Sequence, residues 1–381
     1  MNPEDFVHLH VHSHFSLLDG AGRIEDLARL ASEHGMRALA LTDHGNLFGA
    51  VQFYSTMRES GIKPILGYEA YVAPGRRTEK RAPGGIKDAS FHLTLLAENN
   101  QGYKNLLKLA SAAYLEGFYY RPRIDMELLG QWGEGLIALS GCASGEICHH
   151  LSNGNEAGAL ATAQRYLDLF GKDRFFIELQ DNNLADQKRC LEGLARIAGQ
   201  LDLGMVATND IHYNKAEDAE AHEVLLCINT GKTLDAPDRM RFGSSEFYFK
   251  SGREMIERLG RFPGACENTA AIAERCNVEL DFETRRFPHF QPPEGHDAAS
   301  YLRKLCEEGL QERYGAPPPE ARERLAYELR VIEEMNYASY FLIVWDLIRF
   351  AKRRGIPTGL RGSGAGSLVC YVLGISDLEP L

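Results

Sequence analysis

The sequence has no hydrophobic run long enough to cross a membrane. Its longest apolar stretch, YFLIVWDLI, falls well short of the roughly 20 residues that a spanning helix needs, and it contains Asp346. The first ten residues, MNPEDFVHLH, have neither the basic region nor the apolar region of a secretory signal. We therefore expect a cytoplasmic protein with no membrane partner.

Paired cysteines and an excess of positive charge are also missing. None of the eight cysteines lies in a C-x-x-C pair, so reduced and buried thiols are expected unless the neighbours indicate otherwise. The net charge of −11 argues against a surface that coats nucleic acid by general attraction. It leaves room for a local site whose positive charge comes from bound metal ions.

Short apolar runs alternate with helical patterns over the first 215 residues. Seven runs are strand candidates: 6–11, 38–43, 63–72, 91–97, 135–141, 175–180 and 204–210. Apolar residues at three- and four-residue spacing lie between most of them. Seven such units in series predict an α/β fold with a parallel sheet, either open or closed into a barrel.

Beyond residue 215 the patterns are mainly helical. The segment 285–297, RRFPHFQPPEGHD, breaks both periodicities and is interpreted as a linker. Helical patterns then cover 298–314 and 320–354, and a Gly/Ser-rich loop and an apolar run follow them. The basic run at 75–85, GRRTEKRAPGG, is most simply a solvated loop after the third strand.

Histidines are concentrated in one short stretch, HLHVHSHFSLLDG, at residues 8–20. His8, His10, His12 and His14 would share one face of a strand that extended so far. One isolated histidine is more simply a polar edge or a satisfied core residue. Several on one face, with acids nearby, favour a metal site because neutral imidazole is the commonest metal ligand.

Further possible ligands follow the later strand candidates. The carboxyl ends of strands in a parallel βα barrel share one face, so these residues are expected to converge there. Taken singly, Asp43 could cap a helix, Cys142 could be a buried thiol and Glu69 a surface acid. About nine N, O and S donors together suffice for three ions if a carboxylate bridges two of them. The donors after the first strand are Asp43, His44, Glu69, His92, Cys142, Asp210 and His212.

Five segments resemble a known family: HLHVHSHFSLLDG, LTDHGNLFGAVQFY, IKPILGYEAYV, SGC and VATNDIHY. They are similar to the PHP (polymerase and histidinol phosphatase) domain, in the version found at the N-terminus of alpha subunits of bacterial DNA polymerase III, the C-family replicative polymerases. The resemblance runs over essentially the whole chain. It implies a distorted seven-stranded βα barrel over 1–285. A mostly helical extension, the linker and the start of the polymerase palm, is expected over 286–381.

The resemblance also implies a trinuclear metal centre. His10 and His12 would hold one ion with Glu69 and Asp210, and Glu69 would bridge to a second ion held by His92 and Cys142. A third ion would be held by Asp19, His44 and His212, whereas His8 and His14 keep structural roles. Three divalent ions per chain are expected, zinc or manganese, because the mixed donor set suits them better than magnesium. His10 and His12 should donate their second ring N–H to acceptors, for which Asp43 is a candidate.

The expected reaction is metal-dependent 3′→5′ exonucleolytic hydrolysis of DNA, at a single strand or a primer 3′ end. Glu69, Asp210 and His12 are the candidate catalytic residues, and other replicase subunits are expected partners. Two alternatives stay open: a small-molecule phosphatase like that for histidinol phosphate, and a metal-stabilised scaffold without turnover.

Two further segments have candidate binding roles. In GFYYRPRID at 117–125, bases could stack on Tyr119 and Tyr120, while Arg121 and Arg123 could contact phosphates; a packed aromatic turn is the simpler alternative. RGSGAGSLVCY at 361–371 resembles the nucleotide-binding loop of the polymerase family. There Arg361, Gly362, Ser363 and Gly364 could contact phosphate oxygens.

The same loop departs from the family pattern in one respect. TGLRGS is one residue shorter than the usual run of a glycine, a proline and a glycine before Arg-Gly-Ser. The family's catalytic aspartate motif does not occur before GISDLEPL, the last residues of the sequence. We therefore expect no template-directed polymerase activity from these 381 residues alone.

Overall fold

A computed structural model describes residues 1–80, 89–284 and 287–381. They divide into two compact units, Met1–Leu280 and Asp281–Leu381. The domain boundary after residue 285 stays a prediction, since residues 285 and 286 lie outside the described residues. Part of the basic run at 75–85, residues 81–85, also lies outside them.

The first unit is built on a curled seven-stranded sheet. Its strands are β1 (Ala38–Leu41), β2 (Lys63–Val72), β3 (Phe91–Ala97), β4 (Arg123–Ile124), β5 (Leu136–Leu139), β6 (Phe175–Leu179) and β7 (Met205–Ala207). The strand order is β1-β2-β3-β5-β6-β7, and β4 pairs with β2. This confirms the α/β fold class expected from the alternating pattern.

Ten helices surround this sheet in the described part of the first unit. They are α1 (Ile24–Glu33), α2 (Ala50–Glu59), α3 (Asn100–Leu115), α4 (Met126–Trp132), α5 (Glu146–Ser152), α6 (Glu156–Phe170), α7 (Ala185–Leu201), α8 (Ala219–Thr230), α9 (Gly252–Leu259) and α10 (Glu267–Arg275). Capping residues that are recognisable in the sequence mark the first turn of several of these helices. Asn99 and Asn155 accept a backbone N–H as N-caps of α3 and α6, and Ser251 with Glu254 forms a capping box at α9.

Residues 8–12 form hydrogen bonds near both end strands of the sheet, to β1 on one side and to the chain after β7 on the other. The N–H of Ala40 donates to His8 O, and that of Thr42 to Val11 O. On the other side, His12 N–H donates to Ile211 O at 2.8 Å. The segment therefore lies between β1 and the chain that follows β7, and it carries the first histidines into the barrel.

The strand expected at 6–11 is not regular, which corrects the interpretation of the histidine stretch. The N–H of Val11 donates to the Thr42 hydroxyl at 2.8 Å instead of to a ladder carbonyl, and only a single bridge pairs Val11 with Ile211. As a result Leu9 and His10 both point inward, Leu9 into the core and His10 to Glu178. His8 contacts Phe6 and Phe249 instead, so the four histidines do not share a face.

The βα pattern had suggested a parallel sheet, but the observed sheet is not parallel throughout. Strand β3 is antiparallel to both β2 and β5. No helix occurs between β2 and β3 in the residues described there (73–80, 89 and 90), and a return without a crossover helix produces an antiparallel pair. The short β4 was not expected from the sequence.

The second unit is helical. It contains α11 (Ala298–Tyr314), α12 (Pro319–Glu334), α13 (Ala338–Arg353) and α14 (Leu368–Val372). Its core is formed by the buried side chains on one face of each helix, for example Leu302, Cys306 and Leu310 of α11. The pattern over 320–354 forms two helices rather than one, because Asn336 adopts a left-handed φ of 58° between them. No helix in the described residues could span a membrane.

Candidate metal centre

Nine side chains that the resemblance assigned to metal ions lie together at one end of the sheet, mostly near the carboxyl ends of strands, whereas His92 lies near the amino end of the antiparallel β3. His44 follows β1, Cys142 follows β5, and Asp210 and His212 follow β7. Glu69 lies in β2 and His92 in β3, while His10, His12 and Asp19 belong to the segment that closes the sheet and the turn after it. Side chains that are distant in the sequence thus lie close together in one buried region of the first unit.

The first part of this volume lies between His10, His12, Glu69 and Asp210. Asp210 Oδ1 is 3.3 Å from His10 Nε2 and 3.2 Å from His12 Nε2, and the two imidazole nitrogens are 3.2 Å apart. Glu69 Oε1 is 3.3 Å from His10 Nε2. These four residues are the set expected for one ion.

Glu69 connects this part to a second one. His92 Nδ1 lies 2.8 Å from Glu69 Oε1, and Cys142 Sγ lies 3.4 Å from both the same oxygen and His92 Nδ1. The other oxygen, Glu69 Oε2, is 2.5 Å from His44 Nδ1. Glu69 therefore has the central place expected of a bridging carboxylate.

The third part is formed by His44, His212 and Asp19. Asp19 Oδ2 is 3.2 Å from His44 Nε2. The ring of His12 lies 4.0 Å from that of His44 and 4.3 Å from that of His212. Three groups have ligand atoms within 4.8 Å of one another: His12-His44-His212, His10-His12-Glu69 and His44-Glu69-His92. They share His12, His44 and Glu69, so the three parts are contiguous.

Several buried atoms in this volume have no hydrogen-bond partner among the described residues. They are Asp19 Oδ1, His44 Nδ1, Glu69 Oε2, Asp210 Oδ1 and His212 Nε2. Buried polar atoms without partners cost free energy, and buried carboxylates cost most. His212 Nδ1–H donates to Asp210 O at 2.8 Å, so its free Nε2 carries a lone pair. Such a set of oxygens and nitrogens fits divalent metal ions.

The electrostatics of the group agree with this fit. Burial and the neighbouring His44 and His212 lower the pKa of His12 well below its usual value. Burial also lowers the pKa of His10, but the carboxylates of Glu178, Asp210 and Glu69 prevail and raise it well above its usual value. Glu69 and Asp210 place negative charge beside His10 Nε2, and a divalent ion bound there would balance it.

Sequence reasoning missed the residues that hold His10 in place. His10 Nδ1–H donates to Glu178 Oε1 at 2.6 Å. The same oxygen accepts from the Thr208 hydroxyl at 2.5 Å, and Glu178 Oε2 accepts from Gly141 N–H at 3.0 Å. The available signal was an acid inside the apolar run FFIEL of β6, a buried position where a carboxylate needs a partner.

Asp43 contacts neither His10 nor His12 directly, contrary to the role considered for it. His12 Nδ1–H donates to the Ser16 hydroxyl at 2.9 Å, and that hydroxyl donates to Asp43 Oδ1 at 2.7 Å. Asp43 also accepts from the Ser13 N–H at 2.7 Å. Asp43 thus orients His12 through Ser16.

An open cavity of about 500 Å³ borders the candidate metal centre. Asp19, His44 and His92 line it on one side, and Tyr120 and Arg121 line it on another. The guanidinium of Arg121 lies 5.6 Å from the centre of the Tyr71 ring, which is stacked on His44 at 6.0 Å. Arg121 is exposed and forms no ion pair with a carboxylate of the described residues.

One of the four residues considered for DNA contact, Arg123, has a structural role instead. Arg123 is 1% exposed and donates to the carbonyl oxygens of Gly117, Ala89, Arg77 and Glu79. Tyr119 packs against this guanidinium at 4.9 Å. Burial of Arg123 leaves it no surface for a phosphate.

The Gly/Ser-rich loop lies in the second unit. Residues Gly362–Gly366 form a single 3-10 turn, and Arg361 before it is exposed. Glu328 of α12 accepts from the N–H groups of Leu368 and Val369, at the start of α14. The carboxylate thus occupies this helix start, and the loop residues from Arg361 to Gly364 precede it.

Two family models match the chain. The PHP domain matches residues 8–182, and the bacterial DNA polymerase III alpha NTPase domain matches residues 300–381. The chain is 46% identical over 99% of its length to DNA polymerase III subunit alpha of Treponema pallidum, of which it covers 32%. The corresponding values for the subunit of Thermus aquaticus are 44% identity, 99% of this chain and 36% of that protein.

A further match is DNA polymerase III subunit alpha of Mycobacterium tuberculosis, at 44% identity over 99% of this chain and 33% of that protein. Among solved structures, a two-domain protein from Bacteroides vulgatus described as containing a PHP-like metal-dependent phosphoesterase gives a TM-score of 0.33 at 14% identity, over 74% of this chain and 72% of that chain. The chain thus spans about a third of the length of the curated relatives that it matches. It combines a PHP domain with a segment of the bacterial DNA polymerase III alpha NTPase domain, and over 99% of its length it is similar to bacterial DNA polymerase III alpha subunits.

Proposed function

We propose that the metal centre hydrolyses DNA from the 3′ end, as a proofreading exonuclease. The observation that supports this most is the group of buried oxygens and nitrogens without hydrogen-bond partners among the described residues, beside an open cavity that the exposed Arg121 lines. Three divalent ions, zinc or manganese, would be held by His10, His12, Asp19, His44, Glu69, His92, Cys142, Asp210 and His212. They would supply an activated water and stabilise charge on the phosphate oxygens.

The residues of the cavity would hold the substrate. Arg121 can bind a phosphate bidentately, since its guanidinium is exposed and already oriented by the Tyr71 ring. Tyr120 is 55% exposed at the same cavity and can stack on an unpaired base. Its left-handed φ of 59° is uncommon for a tyrosine, and such backbone conformations cluster at functional sites.

The test is time-resolved digestion of 3′-labelled and 5′-labelled single-stranded DNA with Mn²⁺, Zn²⁺ or a chelator. We expect loss of the 3′ label first, full inhibition by the chelator, and a loss of roughly tenfold or more in Asp210→Asn and His12→Ala. Arg121→Ala should raise KM for DNA, whereas Arg58→Ala, the same charge change on an exposed part of α2, should not. Metal-loaded protein that leaves DNA intact would favour the scaffold alternative.

A chromogenic phosphate monoester in the same experiment tests the phosphatase alternative. Turnover of the monoester with no release of nucleotides would favour that alternative.

The remaining functions concern the longer relatives. We propose that the chain acts within a cytoplasmic DNA-directed DNA polymerase, that Arg361, Gly362, Ser363 and Gly364 contact the phosphates of a nucleotide, and that other replicase subunits are partners. The match of residues 300–381 to the alpha NTPase domain supports this.

A further inference from the structure

Helix α8 reaches the metal centre through a buried histidine that is not one of the nine expected ligands. His222 is 1% exposed, and its Nε2–H donates to the backbone oxygen of Asp19 at 2.7 Å. It lies outside the residues matched by the PHP family model. Its sequence context, AEAHEV, has no metal-ligand spacing that would single it out.

The bond acts on the turn that carries Asp19. Asp19 N–H donates to Ser16 O at 3.0 Å, and Ala21 N–H donates to His212 O at 2.7 Å, so the turn is attached on both sides of Asp19. His222 holds the carbonyl group of Asp19 itself. The carboxylate of Asp19 then has Oδ2 at His44 Nε2 and an unpartnered Oδ1 that lies 4.0 Å from His222 Nε2.

The ring of His222 is in turn held by aromatic neighbours. Phe242 contacts it edge-on at 4.7 Å and contacts the ring of His212 in the same way at 4.8 Å. Tyr213 lies 5.1 Å away. A cavity of about 370 Å³ lies beside His222, so removal of the imidazole would let water reach the Asp19 carbonyl.

We propose that His222 is a positioning residue for the metal site of Asp19, His44 and His212. It fixes the Asp19 turn and thereby the direction of the Asp19 carboxylate toward His44. The proposal rests on the metal centre of the proposed function and does not depend on exonuclease activity. Loss of the bond should weaken one metal ion selectively, since partners that orient ligands typically change affinity about 10- to 100-fold.

The experiment is a Zn²⁺ titration of the whole chain in competition with a chromophoric chelator. His222→Ala should raise the dissociation constant of one zinc equivalent about 10- to 100-fold. His222→Gln should restore it, because the glutamine amide can donate from nearly the position of Nε2. Val224→Ala, at a half-exposed position of the same helix, is the control and should bind like the wild type. The absorption spectrum of the Co²⁺-loaded protein should change in His222→Ala and return in His222→Gln.

Equal affinities and spectra in wild type and His222→Ala would overturn the proposal. Equal losses in His222→Ala and His222→Gln, with a lower melting temperature in both, would also overturn it, in favour of a role in packing alone. Wild type that binds no zinc would contradict the metal centre itself. Zinc binding with the expected variant pattern, but with intact DNA, would refute only the exonuclease.

Discussion

Replacement of Glu178 by glutamine should weaken metal binding, although this residue was not assigned to any metal ion. Its two oxygens accept from five donors, which belong to His10, Thr208, Gln180, Gly141 and Thr94. A glutamine side chain of the same shape must present an amide N–H₂ at one of the two oxygen positions. Because every group there donates or can donate, at least one bond is lost whichever way the amide is turned.

Of the two orientations of the glutamine amide, the one that costs less free energy places the amide nitrogen near Gly141 and Thr94. Thr94 can accept from it, but the buried N–H of Gly141, which is 3.0 Å from Oε2, loses its acceptor. An unsatisfied buried donor costs about 1–3 kcal/mol of stability. His10 keeps only a neutral acceptor, and charge-assisted bonds are roughly twice as strong as neutral ones. Metal affinity should therefore fall about 10- to 100-fold, or about 1.4–2.7 kcal/mol.

Competition with a chromophoric chelator measures this affinity, and thermal unfolding with and without Zn²⁺ measures the stability. Glu192→Gln is the matched control, since Glu192 is an exposed residue of α7 that forms a solvent-exposed ion pair with Arg261 at 3.3 Å. Identical zinc affinities in Glu178→Gln, Glu192→Gln and wild type would refute the reasoning.

Three other outcomes are expected. Arg123→Ala should lower the free energy of unfolding in urea by roughly 3 kcal/mol or more, because four carbonyl oxygens lose a buried charged donor; an unchanged midpoint would contradict this. Burial lowers the pKa of Lys250 to about 8 from its usual 10.5, so the unfolded chain binds the proton more readily and stability is lost as the pH falls from about 10.5 to 8. Lys250→Met should remove the contribution of this lysine to the slope of unfolding free energy against pH between about 8 and 10.5. An equal slope in the variant and the wild type would contradict this expectation. Burial and Glu69 raise the pKa of the Cys142 thiol well above its usual value, so binding of an ion to this sulfur releases a proton and its affinity should rise by up to about tenfold per pH unit. Zinc titrations at pH 6.5 and 7.5 check this, with Cys142→Ala expected to show a smaller dependence.

Much of the candidate site could be predicted because several of its candidate ligands follow strands in the sequence. His44, Cys142, Asp210 and His212 come directly after apolar runs, and the end of a strand in such a barrel is a defined place. The grouping into three ions came from the resemblance, and it stays a prediction. The structure brings all nine side chains together but shares His12, His44 and Glu69 among its candidate groups.

The errors have local causes. His8 was expected beside His10 on a regular strand, but the Thr42 hydroxyl takes the N–H of Val11 and changes the alternation. Arg123 was considered a phosphate contact because it lies in GFYYRPRID beside tyrosines that could stack on bases. In the structure it satisfies backbone carbonyls of two neighbouring segments, an arrangement that no local pattern indicates.

Sequence alone determined the α/β class, the helical character beyond residue 215 and the chemical identity of the ligands, because periodicity and residue type are local properties of the chain. Tertiary structure decided which atoms meet. Glu178 reaches His10 across 168 positions, and His222 reaches Asp19 across 203. These contacts depend on how the sheet curls and on where α8 packs, and no short stretch of residues specifies either one.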